Sequence, residues 1–327
     1  MSKNTTDNWH REFNRYAAEL ETAINKEMPE SYLKRERRKY QMYERLSAER
    51  LKHVGRLTSL IKGDIAAIEF KSDRAVVVMK DGRKFNWLLD RPGNLETLLG
   101  FGTWEPDETA VLRKLIRKGQ TIFDIGTNFG WHATLFSRLT GAEGAVHGFE
   151  PIREYRDEAL ANLALNGCAN VAMHACALSD RRGSGTMYIP KLRGGTYASL
   201  RMDSREDHYT EEPCETMTLD DFCREHAAGQ AHFIKIDTEG AELPILQGAS
   251  RLLEQGRPAL MIELDRRQMD KFGYSCKDLE RFLKQYRYSM HVAFEEQLVA
   301  LPHLDDVYYC NLFCLPGGEG VEGRWRR

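Results

Sequence analysis

A short apolar strand that runs straight into two glycines frames the whole chain: Thr121–Gly130, TIFDIGTNFG. Ile122, Phe123 and Ile125 are the strand, Gly126 and Gly130 punctuate the turn, and a helix opens at Trp131, His132 and Ala133. A strand ending in such a turn leaves room for a ligand at its C-terminal end. The N–H groups of the following helix start face the same crevice. A dinucleotide loop would read Gly-x-Gly-x-x-Gly. Here Gly126 and Gly130 enclose Asn128 and follow Asp124, and an acid in that place repels a pyrophosphate. It suits a ligand with an amino group or a sulfonium. The bland alternative is a tight strand-to-helix turn with no ligand.

Composition narrows the class. The net charge of −2 argues against a globally basic nucleic-acid binder. No run of about 18 apolar residues is present, so no membrane span is expected. The start, MSKNTTDNWHREFNRY, lacks the apolar core of a secretory signal. The seven cysteines are odd in number, scattered and without a Cys-x-x-Cys pair. Together these point to reduced thiols in a cytoplasmic protein.

Residues 1–62 read as a helical arm. Trp9, Phe13, Tyr16, Ala17, Leu20 and Ile24 recur at helical spacing, Pro29 interrupts, and a basic helical segment follows from Glu30. That segment is either a solvated face, a coiled-coil arm that makes a homodimer, a membrane-surface helix, or a contact for an anionic partner. Residues 63–99 alternate apolar and polar around the Asp81-Gly82 turn signal and read as a small β subdomain or cap. The main domain is expected over 100–316, with a frayed tail at 317–327. Glu105-Pro106-Asp107-Glu108 is expected to cap its first helix. Strands expected at 121–125, 145–149, 170–175, 232–236 and 259–262 alternate with helices. This rhythm predicts an α/β fold with a doubly wound, Rossmann-like, mostly parallel sheet. Segment 183–217 breaks the rhythm with two strands and a long polar loop, expected to cover the crevice. Strands near 288–294 and 307–315 are expected to form an antiparallel edge pair.

Polar residues collect after the strands. Glu150, 20 residues beyond Gly130, is placed to accept both ribose hydroxyls of an adenosine, and Pro151 stiffens that turn. Leu178 and Asp180 follow the third strand, as candidates for the adenine ring and its edge. Asp237 and Glu239 follow the fourth, as binders of an ammonium group, as a base, or as caps of the next helix.

The series Asp-x-Gly-x-Asn-x-Gly (124–130), Phe149-Glu150-Pro151, Ala177-Leu178-Ser179-Asp180, Thr218-Leu219-Asp220-Asp221 and Ile234-Lys235-Ile236-Asp237-Thr238-Glu239-Gly240-Ala241-Glu242 resembles the FkbM family of methyltransferases. Trp104-Glu105-Pro106 and Ser199-Leu200 also fit its pattern, and the resemblance spans about residues 100–315. Thr127 and His132 depart from it. The resemblance implies a class I fold of seven strands with the last antiparallel. It implies S-adenosylmethionine as methyl donor and transfer to a hydroxyl of a sugar, glycolipid or natural product. On that basis Asp124, Gly126, Asn128 and Gly130 surround the methionine part, with Asp237 nearby; Glu150 takes the ribose, and Leu178 with Asp180 the adenine.

A sulfonium is already a good leaving group, so the protein's main task is alignment, a contribution of about 7–11 kcal/mol. An alcohol acceptor must also lose its proton, for which Asp237, His132, Glu239 and Glu263 are the candidate groups. A divalent metal on Asp237 and Glu239 would have no histidine-rich ligand set, so none is expected. A nicotinamide enzyme would lack its glycine pattern. The alternatives are an N- or nucleic-acid methyltransferase, whose only support is the basic helix, and a catalytically silent cofactor-binding scaffold.

Overall fold

The computed structural model describes residues 59–317 except 72, 89–93, 192–196, 204–207, 227–229 and 306, with a few isolated positions earlier in the chain. The helical arm expected over 1–62, with its dimer role, and the tail beyond 317 lie almost wholly outside the described residues.

The first described unit is the antiparallel meander β1 (Ile65–Phe70), β2 (Arg74–Met79) and β3 (Lys84–Leu88), followed by helix α1 (Asn94–Phe101). The boundary expected at 99/100 therefore falls inside a helix. Val77 and Phe85 of the meander pack on Leu98 and Leu99 and on Phe129 and Trp131. Arg83 Nη1 donates to Trp131 O at 3.0 Å, and Asn86 N donates to Asn162 Oδ1 at 2.8 Å. The small sheet is thus bolted onto the main domain.

That domain starts with α2 (Pro106–Leu115), then β4 (Thr121–Ile125), α3 (Trp131–Thr140), β5 (Ala145–Phe149), α4 (Arg153–Leu165) and β6 (Val171–His174). A side sheet follows, in which β7 (Cys176–Leu178) runs parallel to β9 (Tyr209–Met217) and β8 (Gly183–Pro190) antiparallel to it. Then come α5 (Leu219–His226), β10 (Phe233–Ile236), α6 (Glu242–Gln247), α7 (Ser250–Gln255), β11 (Ala259–Asp265), α8 (Arg266–Phe272), α9 (Cys276–Gln285), β12 (Tyr288–Phe294), β13 (Gln297–Ala300) and β14 (Tyr309–Pro316).

The main sheet has the order β13-β12-β14-β11-β10-β4-β5-β6. The five strands from β11 to β6 are mutually parallel, and β14 runs against both of its neighbours. Parallel strands are covered on both faces, so they read as unbroken apolar runs. Phe233–Ile236 is buried at every position. Alternate residues feed two cores: Phe123, Ile234 and Ile262 meet α5 to α9 on one side, while Ile122, Phe233 and Met261 meet α2 and α3 on the other. From β4 the chain winds outward through β5 and β6, then returns to β10 and winds the other way. This reversal between β4 and β10 opens a crevice at their C-terminal ends.

Seven of the strands follow the expected plan, and β13 is an eighth. Its turn, Glu295-Glu296, has φ of 47° and 59°, a two-residue hairpin with both residues left-handed. Asn-Gly or Asp-Gly usually marks such a turn, and Glu-Glu carries no such signal. The strand expected to stop at 262 runs on to Asp265, so Glu263 lies within it.

His147, His174 and His226 gather around Phe222, with His147 Nδ1 3.1 Å from His174 Nε2. Burial, then the neighbouring His147 and His226, push the His174 imidazole down to about 4. A histidine held neutral when folded takes up protons on unfolding, so its stabilisation is present above about pH 6.5 and fades toward pH 4. After discounting for partial exposure, His174 should contribute about 1 kcal/mol to the difference in urea unfolding free energy between pH 7.5 and pH 5, while the raised carboxyls act with the opposite sign. His174→Gln should shrink that difference.

Candidate active site

Gly126 leaves β4 with φ 77°, and a Cβ there would lie 1.8 Å from the carbonyl oxygen of Asp237. The close approach lets the β4 and β10 exits touch, with Asp237 N donating to Ile125 O at 3.1 Å. Gly126 N and Thr127 N both donate to Phe149 O, which ties the loop to the end of β5. Asn128 sits at φ 49°, and Gly130 at φ 90° starts α3.

Glu150 closes the other side of the loop. Its Oε2 accepts from Asn128 N at 2.9 Å and its Oε1 from Ile152 N at 3.0 Å. Each oxygen keeps a second acceptor position, one for each of two vicinal hydroxyls. Burial pushes its carboxyl up to about 7, against the two N–H groups and the charges of Arg156 and Lys235.

Lys235 is the register partner of Asp124 in neighbouring parallel strands. Its ammonium lies 3.0 Å from Asp237 Oδ2 and 3.8 Å from Asp124 Oδ1, and donates to Gly126 O at 3.3 Å. Burial lowers its affinity for a proton, but Asp237, Asp124 and Glu105 outweigh that, so it stays charged well beyond neutrality. Asp124 is fully buried, neither of its oxygens has a hydrogen-bond partner of good geometry, and burial raises it against the pull of Lys235, His132 and the nearby Ala133 N–H.

A cavity of about 400 Å³ lies over these strand ends. Six carboxylates line it (Glu105, Glu150, Asp237, Glu239, Glu263, Asp265) against two permanent cations, Lys235 and Arg267. That balance disfavours a diphosphate and suits a cationic ligand. Leu178, Ile152 and Met187 supply an apolar wall for a flat ring. Carboxylate oxygens of Asp237, Glu239 and Glu263 all lie within 4.8 Å of one another. They are close enough to share a hard divalent cation. They are also close enough to hold protons: burial, then the charge of Asp237, pushes Glu239 and Glu263 well above the usual range.

His132, the second residue of α3, is 5% exposed and lines the cavity. Its Nε2 lies 3.0 Å from Glu105 Oε2, off the ideal axis, and neither atom has a hydrogen-bond partner. Glu105 Oε1 accepts from Asn311 Nδ2 at 3.0 Å. Burial pushes the Glu105 carboxyl up, yet His132, Lys235 and Asn311 together hold it below the usual range.

Of the residues singled out in the sequence, Gly126, Asn128, His132, Glu150, Pro151, Leu178, Asp237 and Glu239 all line the cavity. Asp124 lies behind it, in contact through Lys235, and Gly130 packs toward Ala159. Asp180 is not brought in: it accepts from Ser179 Oγ at 3.2 Å and lies 3.7 Å from Arg181. The expected capping by Glu105 does not occur, since no side-chain bond closes the start of α2. Neither Asp237 nor Glu239 caps α6; Glu242 Oε1 instead accepts from Thr238 N and Gly240 N. Tyr197, Ala198 and Leu200 of the long loop line the cavity. The lining also includes residues that the candidate set lacked, among them Lys235, Glu105 and Tyr309. Lys235 had a signal, a lone charge inside the otherwise apolar run Phe233–Ile236.

A doubly wound sheet with this strand order, and an acid-walled cavity at its switch point, define the class I methyltransferase fold. The sequence model of the FkbM methyltransferase domain matches residues 124–290, just over half of the chain. The chain belongs to the FkbM methyltransferase family, whose methyl donor is S-adenosylmethionine. A protein-L-isoaspartate O-methyltransferase of Methanocella arvoryzae is 41% identical over 56 residues, 17% of this chain, and the match spans only 30% of that relative's length. A crystal structure of the methyltransferase FkbM from Methylobacillus flagellatus KT aligns over 69% of this chain and 51% of its own, at 18% identity and TM-score 0.42. Aeropyrum pernix fibrillarin, solved with natively bound S-adenosylmethionine, aligns over 78% of this chain and 100% of its own, at 11% identity and TM-score 0.37.

The residues present fit that donor: Glu150 offers free acceptor positions, the wall is acidic, and the orphaned Asp124 carboxylate adds its field. Two outcomes follow. Gly126→Ala should cost more than about 3 kcal/mol by denaturant titration, because a left-handed φ and a backbone clash coincide. Hydroxyls bind best to an ionised acceptor, so a ligand held by Glu150 should bind up to about tenfold more tightly at pH 8 than at pH 6, with S-adenosylhomocysteine in calorimetry as the test. Glu150→Gln should weaken binding and remove that dependence.

Proposed function

We propose that this protein is an S-adenosylmethionine-dependent O-methyltransferase acting on a hydroxyl of a sugar, glycan or natural product. The observation that carries the reading is the crowd of carboxylates and one histidine that share the cavity with Lys235, next to Glu150. When bound, the donor supplies an electrophilic methyl group. In this reading Glu150 takes the ribose hydroxyls, with Pro151 stiffening its turn. Gly126, Asn128 and Gly130 shape the loop around the methionine part, Asp237 faces its ammonium group, and Asp124 adds its field from behind Lys235. Leu178 packs on the adenine; Asp180 would need to move to reach its edge.

On the acceptor side, His132, Asp237 and Glu239 hold or take the hydroxyl proton. Glu239 and Glu263, pushed upward by burial, are stronger bases than ordinary carboxylates once ionised. Lys235 anchors Asp237 at 3.0 Å. Tyr197 and Leu200 line the cavity from the loop side. A second reading, an amine acceptor, draws on the same excess of acid, which would hold an ammonium form. A nucleic-acid acceptor is opposed by the acidic wall, and its support, the basic segment 30–62, lies almost wholly outside the described residues. All seven cysteines are free, in keeping with a cytoplasmic location, and no described helix is long and apolar enough to cross a membrane.

The test is mass-spectrometric detection of label transferred from methyl-deuterated S-adenosylmethionine across panels of sugars, glycans and natural-product alcohols. Asp237→Asn should lower kcat by about 100-fold or more, with less than tenfold loss of S-adenosylhomocysteine affinity. Thermal stabilisation by NAD but by neither adenosyl compound would refute the reading.

A further inference from the structure

Glu105 lies outside the matched segment 124–290 and just before α2. Its backbone is left-handed, φ 46° and ψ 60°, a conformation that a non-glycine residue rarely adopts. That turn sends the side chain inward instead of over the helix start. One carboxylate oxygen is held by Asn311 of β14 at 3.0 Å, and the other lies 3.0 Å from His132 Nε2. His132 is stacked against Phe136, with ring centroids 5.9 Å apart. No described residue hydrogen-bonds to its Nδ1. A carboxylate facing Nε2 makes that nitrogen the donor, which leaves the lone pair of the neutral ring on Nδ1.

We propose that Glu105 is a positioning residue for methyl transfer: anchored by Asn311, it fixes the His132 ring with the proton on Nε2 and Nδ1 free to accept. This rests on the reading of His132 as the group that takes the acceptor proton. In the step, the acceptor hydroxyl gives its proton to Nδ1 as its oxygen bonds the methyl carbon. The electrons of the breaking C–S bond stay on sulfur, which leaves as a neutral thioether. His132 ends as an imidazolium whose charge Glu105 balances, and it then loses the proton to water. The 3.0 Å pair is off-axis without ligand, as such pairs often are before the reacting complex forms.

The experiment uses the full chain with ¹⁵N-labelled histidine and saturating S-adenosylhomocysteine. The wild type should show a downfield imidazole N–H proton protected from exchange with water, absent in His132→Asn. Glu105→Gln should abolish that protection while keeping S-adenosylhomocysteine affinity within about threefold. With an acceptor in hand, the same variant should lower kcat about 100-fold at unchanged acceptor KM, and Glu105→Asp should recover part of the loss. Asn311→Ala, which leaves Glu105 in place, should broaden the signal, and it serves if Glu105→Gln does not fold. A wild type with no such proton, or one that persists unchanged in Glu105→Gln, overturns the proposal. So does a parallel loss of cofactor affinity, which would make Glu105 a cofactor-binding group. If the wild type fails to bind S-adenosylhomocysteine, the methyltransferase reading falls, while the signal without ligand still decides the Glu105–His132 pairing.

Discussion

One buried ammonium group holds the centre of this domain together. Lys235 rises from the middle of β10 and meets Asp237 at 3.0 Å and Asp124 at 3.8 Å, one acid from its own strand exit and one from β4. A buried ion pair gains little over an apolar core, but a buried charge left alone is costly. The arrangement therefore demands that β4 and β10 be neighbours in this register. Once they are, the chain reverses between them, and the crevice for a ligand opens where the acids stand. Further carboxylates then crowd the same mouth, with two of them kept from ionising freely by burial and by Asp237.

The small β sheet matters to this site although it carries no acid–base chemistry of its own there. Arg83 stacks over the Trp131 ring at 4.1 Å and hydrogen-bonds its carbonyl, so the first turn of α3 is gripped from outside the domain. Asn162, fully buried on α4, accepts from Asn86 and donates to Phe129 O, joining the cap, the glycine loop and α4 in one network. His132 follows directly on Trp131, so the cap helps to set where that imidazole stands.

Much of the plan was legible because local patterns and global fold agree. The mostly apolar run at 121–125 and the unbroken one at 259–262, each followed by polar residues, are what a twice-covered parallel strand needs. Glu150 was legible from its spacing to Gly130, since a βαβ unit sets that distance. β13 was illegible because Glu295-Glu296 occupies a hairpin turn without the glycine or asparagine that marks one. Glu105 looked like a helix cap because its neighbours are Pro106, Asp107 and Glu108. Only a left-handed backbone turns it toward His132, and sequence spacing does not reveal such a φ.

The amino-acid sequence alone determined the layered α/β architecture, the ligand end of the sheet and the family, because periodicity and the motif from Asp124 to Gly130 are properties of neighbouring residues. The tertiary structure alone decided which charges share the cavity. Asn311 reaches Glu105 across 206 positions of chain, and Lys235 reaches Gly126 across 109. Contacts of that span depend on strand order and register, and electrostatic energy depends on distance in space and on burial, neither of which is written in the order of the residues.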